Sequence, residues 1–80
     1  MLNKKQYDET FIESFSIKKE LLTDSLEYDS IEEWDSVGHM TLIGNLEEVF
    51  DISMDMEDII DFSSYKMGMT LLAKYGVEFE

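Results

Sequence analysis

The stretch Trp34-Asp35-Ser36-Val37-Gly38-His39-Met40-Thr41-Leu42-Ile43-Gly44-Asn45-Leu46-Glu47-Glu48-Val49-Phe50 decides the fold. Projected at about 100° per residue, Leu42, Ile43, Leu46, Val49 and Phe50 gather on one side, joined at the start by His39. A helix from about Ser36 to Phe50 with one core-facing stripe follows. The opposite side carries Val37, Met40, Thr41, Gly44, Glu47 and Glu48. Two apolar residues and a glycine stand there where a solvent-facing helix is ordinarily polar, the composition of a docking surface.

Upstream, Asn3 is placed to cap a first helix, with Gln6 bonding back as in a capping box and Leu2 and Tyr7 spaced as a hydrophobic staple. Tyr7, Phe11 and Phe15 recur at intervals of four, with Ile12 beside them, while Asp8, Glu9 and Glu13 face water. This helix runs to about Phe15. From Ser16 to Trp34 the period breaks down, and Ile17, Leu21, Leu22, Leu26, Tyr28, Ile31 and Trp34 are scattered among polar residues. The segment reads as a long loop pinned across the bundle, with a helical turn at Lys18 to Leu22 or an additional full helix. Downstream, Asp51 to Asp55 is a connector, and Met56, Ile59, Ile60 and Phe62 suit a short third helix of two turns at most. Ser63 or Ser64 caps a last helix carrying Tyr65, Met67, Met69, Leu71 and Leu72, ended by Gly76 in a left-handed turn with Val77 packing back on Leu72. The sum is one all-α domain, residues 1–80, a four-helix bundle with a long loop after the first helix and a short third helix.

Composition narrows the function. Between Glu20 and Tyr65 there are fourteen carboxylates and no lysine or arginine, and the net charge is −13. Such a surface selects basic partners and repels nucleic acid. A chain of 80 residues leaves about 4 to 12 kcal/mol of net stability and no room for a buried catalytic cleft, and acidic self-repulsion makes it salt-sensitive. No cysteine occurs, which excludes disulfides, thiolate zinc sites and a thiol nucleophile of the chain's own. The single histidine, His39, has no second imidazole for a metal site and reads as a residue at the core margin bonded to the loop. Asp51, Ser53, Asp55 and Glu57 alternate like a calcium loop, but Met56 occupies the place of the required glycine and Phe62 that of the terminal glutamate, so an EF-hand is rejected. Met1 to Gln6 lead into alternating charge, so neither a signal peptide nor a membrane span is expected. The expectation is a monomeric, cytoplasmic protein that is not an enzyme.

Ser36 at a helix start is, read alone, a cap. A helix N-terminus also favours an anion, so a phosphate esterified to that hydroxyl meets free amides and a partial positive charge. With Asp35-Ser36-Val37 opening the second helix, and Leu42 and Leu46-Glu47-Glu48-Val49-Phe50-Asp51 following, the chain resembles the acyl carrier protein family, the phosphopantetheine-binding domains, over most of its length.

The resemblance implies that Ser36 is the attachment point of 4′-phosphopantetheine, transferred from coenzyme A by a separate magnesium-dependent phosphopantetheinyl transferase. It implies that Asp35 helps organise metal and cofactor during that transfer. It further implies that Val37, Met40, Glu47 and Glu48 dock acyl- or aminoacyl-loading and acyl-transferring enzymes through their basic patches. Acyl or aminoacyl thioesters would ride on the arm in fatty acid, specialised-metabolite or glycan biosynthesis, with cargo sequestered near Leu46, Ile59 and Ile60. Trp34 in place of a small or apolar residue, Val37 in place of leucine and no proline after Asp51 depart from the family pattern, and the opening looks more like discrete carriers of specialised pathways. The alternative is an unmodified acidic interaction domain docking through the second helix; a third reading is a cation buffer.

Overall fold

The computed structural model describes residues 2–79, with the Leu2 side chain outside the description, so the expected Leu2 to Tyr7 staple lies outside the described residues. Four α-helices succeed one another, α1 (Leu2–Phe15), α2 (Ser36–Phe50), α3 (Met56–Asp61) and α4 (Tyr65–Ala73), in a small helical bundle. No strand forms among the described residues; Glu27 and Ser64 make an isolated antiparallel bridge.

The core is aromatic and centred on α1. Tyr7, Phe11 and Phe15 are buried, as their spacing required, and Phe11 lies within 4.9–6.2 Å, ring to ring, of Tyr7, Phe15, Trp34, Phe62 and Tyr65. Aromatic pairs in such tilted and edge-on arrangements add about 0.5 to 1.5 kcal/mol each beyond area burial. Leu42, Ile43 and Leu46 of α2 and Leu71 and Leu72 of α4 close the core around them. Val49, expected on the core side of α2, is exposed, because it meets the polar side of α1 beside Gln6, Glu9, Thr10 and Glu13, and only Phe50 stays half-buried against the core.

Asn3 is not a cap. The helix is already formed at Leu2, and the Asn3 amide instead donates to the carbonyl of Glu78, tying the start of α1 to the end of the chain. Three helices end in one way. The amide of the residue just after a left-handed turn reaches back five residues, Ile17 to Ile12, Ile52 to Glu47 and Val77 to Leu72, while Ser16, Asp51 and Gly76 respectively take positive φ. The apolar residue that follows each turn folds onto the bundle, the Schellman arrangement. Only Gly76 was legible, because Ser16 and Asp51 adopt the left-handed conformation with a Cβ in place, at a cost of roughly 1 kcal/mol each.

The loop between α1 and α2 holds one 3₁₀ turn, Lys19–Leu21, and no further helix. Ile17, Leu26 and Trp34 anchor it in the core, while Leu21 and Tyr28 stay exposed. Its backbone pairs with the α3–α4 junction: Tyr28 N–H donates to the Ser63 carbonyl (2.8 Å) and Tyr65 N–H to that of Leu26 (2.9 Å). Ser64 is the serine that caps α4, its hydroxyl accepting from the Met67 amide at 2.9 Å.

The six-residue α3 is too short to persist alone. Asp58, buried although charged, receives the Lys74 ammonium at 2.7 Å and the Tyr75 hydroxyl, and the Tyr75 oxygen accepts from the Asp55 amide at 2.9 Å. These bonds moor α3 to the end of α4. The Lys74 ammonium, then the Tyr75 hydroxyl, hold the Asp58 carboxyl below its ordinary range against the opposing effect of desolvation. A depressed folded-state value contributes stability above the unfolded value and loses it as pH falls through the folded one. Urea unfolding should therefore show Asp58→Asn less stable than the parent at neutral pH, with the gap closing below about pH 4; a gap independent of pH contradicts the mooring.

Candidate functional site

The start of α2 is held by its neighbours in sequence. Trp34 is fully buried, edge-on to Phe11, and its indole N–H donates to His39 Nδ1 at 3.0 Å. His39 Nε2 lies 2.8 Å from the Ile59 carbonyl. An indole nitrogen only donates and a carbonyl only accepts, so His39 carries its proton on Nε2. The Asp35 backbone carbonyl accepts from the His39 amide (2.7 Å), and Asp35 Oδ1 accepts from the Gly38 amide (2.8 Å).

Asp35 is thus the N-cap of α2, and Ser36 occupies the first helical position. Its hydroxyl is released from capping duty, exposed, and without a hydrogen-bond partner among the described residues. Gly38 makes this geometry possible. A Cβ on Gly38 would stand 2.0 Å from the Glu33 carbonyl oxygen, so the loop passes against the first turn only because that side chain is missing.

Beside Ser36 lies a half-open groove of about 350 Å³. Ser36, His39 and Met40 form one wall, Met56, Ile59 and Ile60 of α3 the other, and Tyr28, Phe62 and Ser63 close its end. Leu46, expected to line this space with Ile59 and Ile60, is completely buried on the core side and does not reach it. Tyr28, Met56 and Ser63 were not legible as groove residues, since two come from a loop and a junction whose pairing depends on tertiary contacts.

The outer side of α2 presents Val37 (73% exposed) and Met40 (56%), with Gly44 and Glu48 exposed along the same face. Glu47 differs from Glu48. It is half-buried, and its Oε2 accepts from the Met54 amide at 2.8 Å, so it braces the connector after α2. Nothing lies within 4 Å of a Cβ built on Gly44. Among the described residues no group of three or more carboxylate or imidazole side chains converges on a metal-sized site, and no helix is long and apolar enough to cross a membrane.

Comparisons with protein-family models, with curated proteins and with solved structures find no match to this chain.

The two glycines of α2, one half-buried and one exposed, should respond in opposite senses. Gly38→Ala forces the Glu33 carbonyl aside and should cost about 1 to 3 kcal/mol, whereas Gly44→Ala, with open space above it, should gain up to about 1 kcal/mol. Trp34→Phe keeps a ring but leaves His39 Nδ1 without its donor, and should cost at least about 1 kcal/mol. Denaturant midpoints check all three; equal effects at Gly38 and Gly44 contradict the close passage of the loop.

Proposed function

We propose that this protein is an acyl carrier: Ser36 receives 4′-phosphopantetheine, and the loaded domain presents acyl or aminoacyl groups to partner enzymes. The observation that carries the reading is the Ser36 hydroxyl, exposed and without a hydrogen-bond partner among the described residues, at the first turn of α2 whose cap is Asp35. A phosphodiester there would meet the positive end of a fifteen-residue helix and its early amides. The residues fit the group. The oxygen is accessible, the neighbouring side chain Asp35 is free to approach a transferase-bound metal with its second carboxylate oxygen, and an apolar groove opens beside the attachment point.

When attached, the arm supplies the thiol that a cysteine-free chain lacks, and its flexible length gives partner enzymes a high effective concentration of activated acyl group. The chain's own residues hold and present. Val37, Met40 and Glu48 face outward on α2, where apolar contact and negative charge suit enzymes with basic patches, the charge steering encounter more than tightening it. Glu47 joins that surface only through the oxygen not engaged by Met54. Four helices, a long pinned loop after the first and a short third helix also agree with the carrier arrangement, and the acidic surface fits a cytoplasmic protein exchanged among soluble enzymes.

The exposed apolar pair Val37 and Met40 also suits a standing interaction domain in which Ser36 stays unmodified. Incubation with coenzyme A, magnesium and a broad-specificity phosphopantetheinyl transferase separates the two. Intact mass should rise by one phosphopantetheine unit in the parent and not in Ser36→Ala. An unchanged mass on folded parent protein rejects the carrier and leaves the interaction domain.

A further inference from the structure

The bond from His39 to Ile59 is the sole hydrogen bond between α2 and α3 among the described residues. We infer that His39 is a releasable tie: it holds α3 against α2, and its release widens the apolar groove beside Ser36. The Ile59 carbonyl belongs to the last turn of a helix that ends at Asp61, where carbonyls have no intrahelical partner. His39 supplies the missing donor. On the groove side the apolar hold on α3 is the half-buried Ile59 side chain, since Met56 and Ile60 are 71% and 70% exposed; its mooring through Asp58 lies on the α4 side.

The two bonds of the imidazole differ in what their loss leaves behind. Breaking the Trp34 bond, which is buried, orphans an indole N–H in a fully buried side chain, whereas the Ile59 bond is only part-buried, between two residues that line the half-open groove, so that water can take the place of the imidazole. Trp34 therefore keeps His39 aligned in one tautomer, and the Ile59 end is the one that lets go. Opening pivots on the α4 mooring and enlarges the space between Met40 and Ile60. The groove then has a narrow and a wide form, and an apolar ligand that fills the wide form favours it by its difference in affinity for the two. The tie belongs to the unmodified protein and does not depend on the carrier reading.

Two substitutions divide the imidazole's functions. His39→Asn places an acceptor near Nδ1 and keeps the Trp34 bond but not the tie; His39→Gln places a donor near Nε2 and keeps the tie. Amide hydrogen exchange by NMR on the unmodified protein should show the Ile59 and Phe62 amides accelerated at least about tenfold in His39→Asn relative to Phe11 and Phe15, and close to parent in His39→Gln. Titration with 1-octanol, a neutral aliphatic probe, should shift the Met40, Met56 and Ile60 methyls with a several-fold lower Kd in His39→Asn. Equal acceleration of α1 and α3 amides, or identical behaviour of the two variants, overturns the tie. Should a variant fail to fold, the parent decides: the His39 Nε2 proton, its exchange rate divided by the intrinsic rate of an imidazole N–H, should show the protection factor of the α3 amides, and the higher protection of the α1 core overturns the proposal.

Discussion

Burial of one tryptophan, with its indole proton bonded to a histidine five residues on, is the interaction that organises the rest. Trp34 ends a loop of some twenty residues and must enter the aromatic core around Phe11, yet a buried N–H without a partner costs more than the ring gains by small shifts of position. His39 answers that demand from the second turn of α2. The loop, the start of α2 and, through the Ile59 carbonyl, α3 are fixed in one step. Ser36 lies between the two bonded residues and is presented outward as a result.

The electrostatics follow a similar division between structural and free groups. Asp58 and Glu47 act inside the fold, the first in the mooring of α3 and the second on the Met54 amide. Glu48 and Asp35 remain on the surface beside Val37, Met40 and Ser36. A stretch rich in acids and free of lysine and arginine thus resolves into a few carboxylates that hold the bundle and others that stay on the surface around α2. The capping carboxylate of Asp35 does both, closing the helix and standing next to the free hydroxyl.

Periodicity made the long helices legible: the Tyr7, Phe11, Phe15 spacing and the Leu42, Ile43, Leu46 stripe each need only local geometry, and both are buried. The loop's anchors Ile17, Leu26 and Trp34 could be suspected as apolar residues out of period, and Gly76 announced its own turn. The rest required tertiary information. Ser16 and Asp51 end helices without glycine, and their signal was the apolar residue after each. Asn3 reads as a cap in isolation but bonds the far end of the chain. Ser36 and Asp35 were both legible as residues of a helix start, but which one caps depends on where the backbone turns helical, and it is extended at Asp35 and helical from Ser36. Gly38 offered no sign that a loop carbonyl presses on it, and the groove residues Tyr28 and Ser63 meet only through the bridge between the loop and the α3–α4 junction.

The most direct measurement is the intact mass, with fragmentation, of the protein isolated from its own cells. A phosphopantetheine group on Ser36 is the expected result. A permanently bare Ser36 in protein that is fully competent in its pathway would contradict the carrier account.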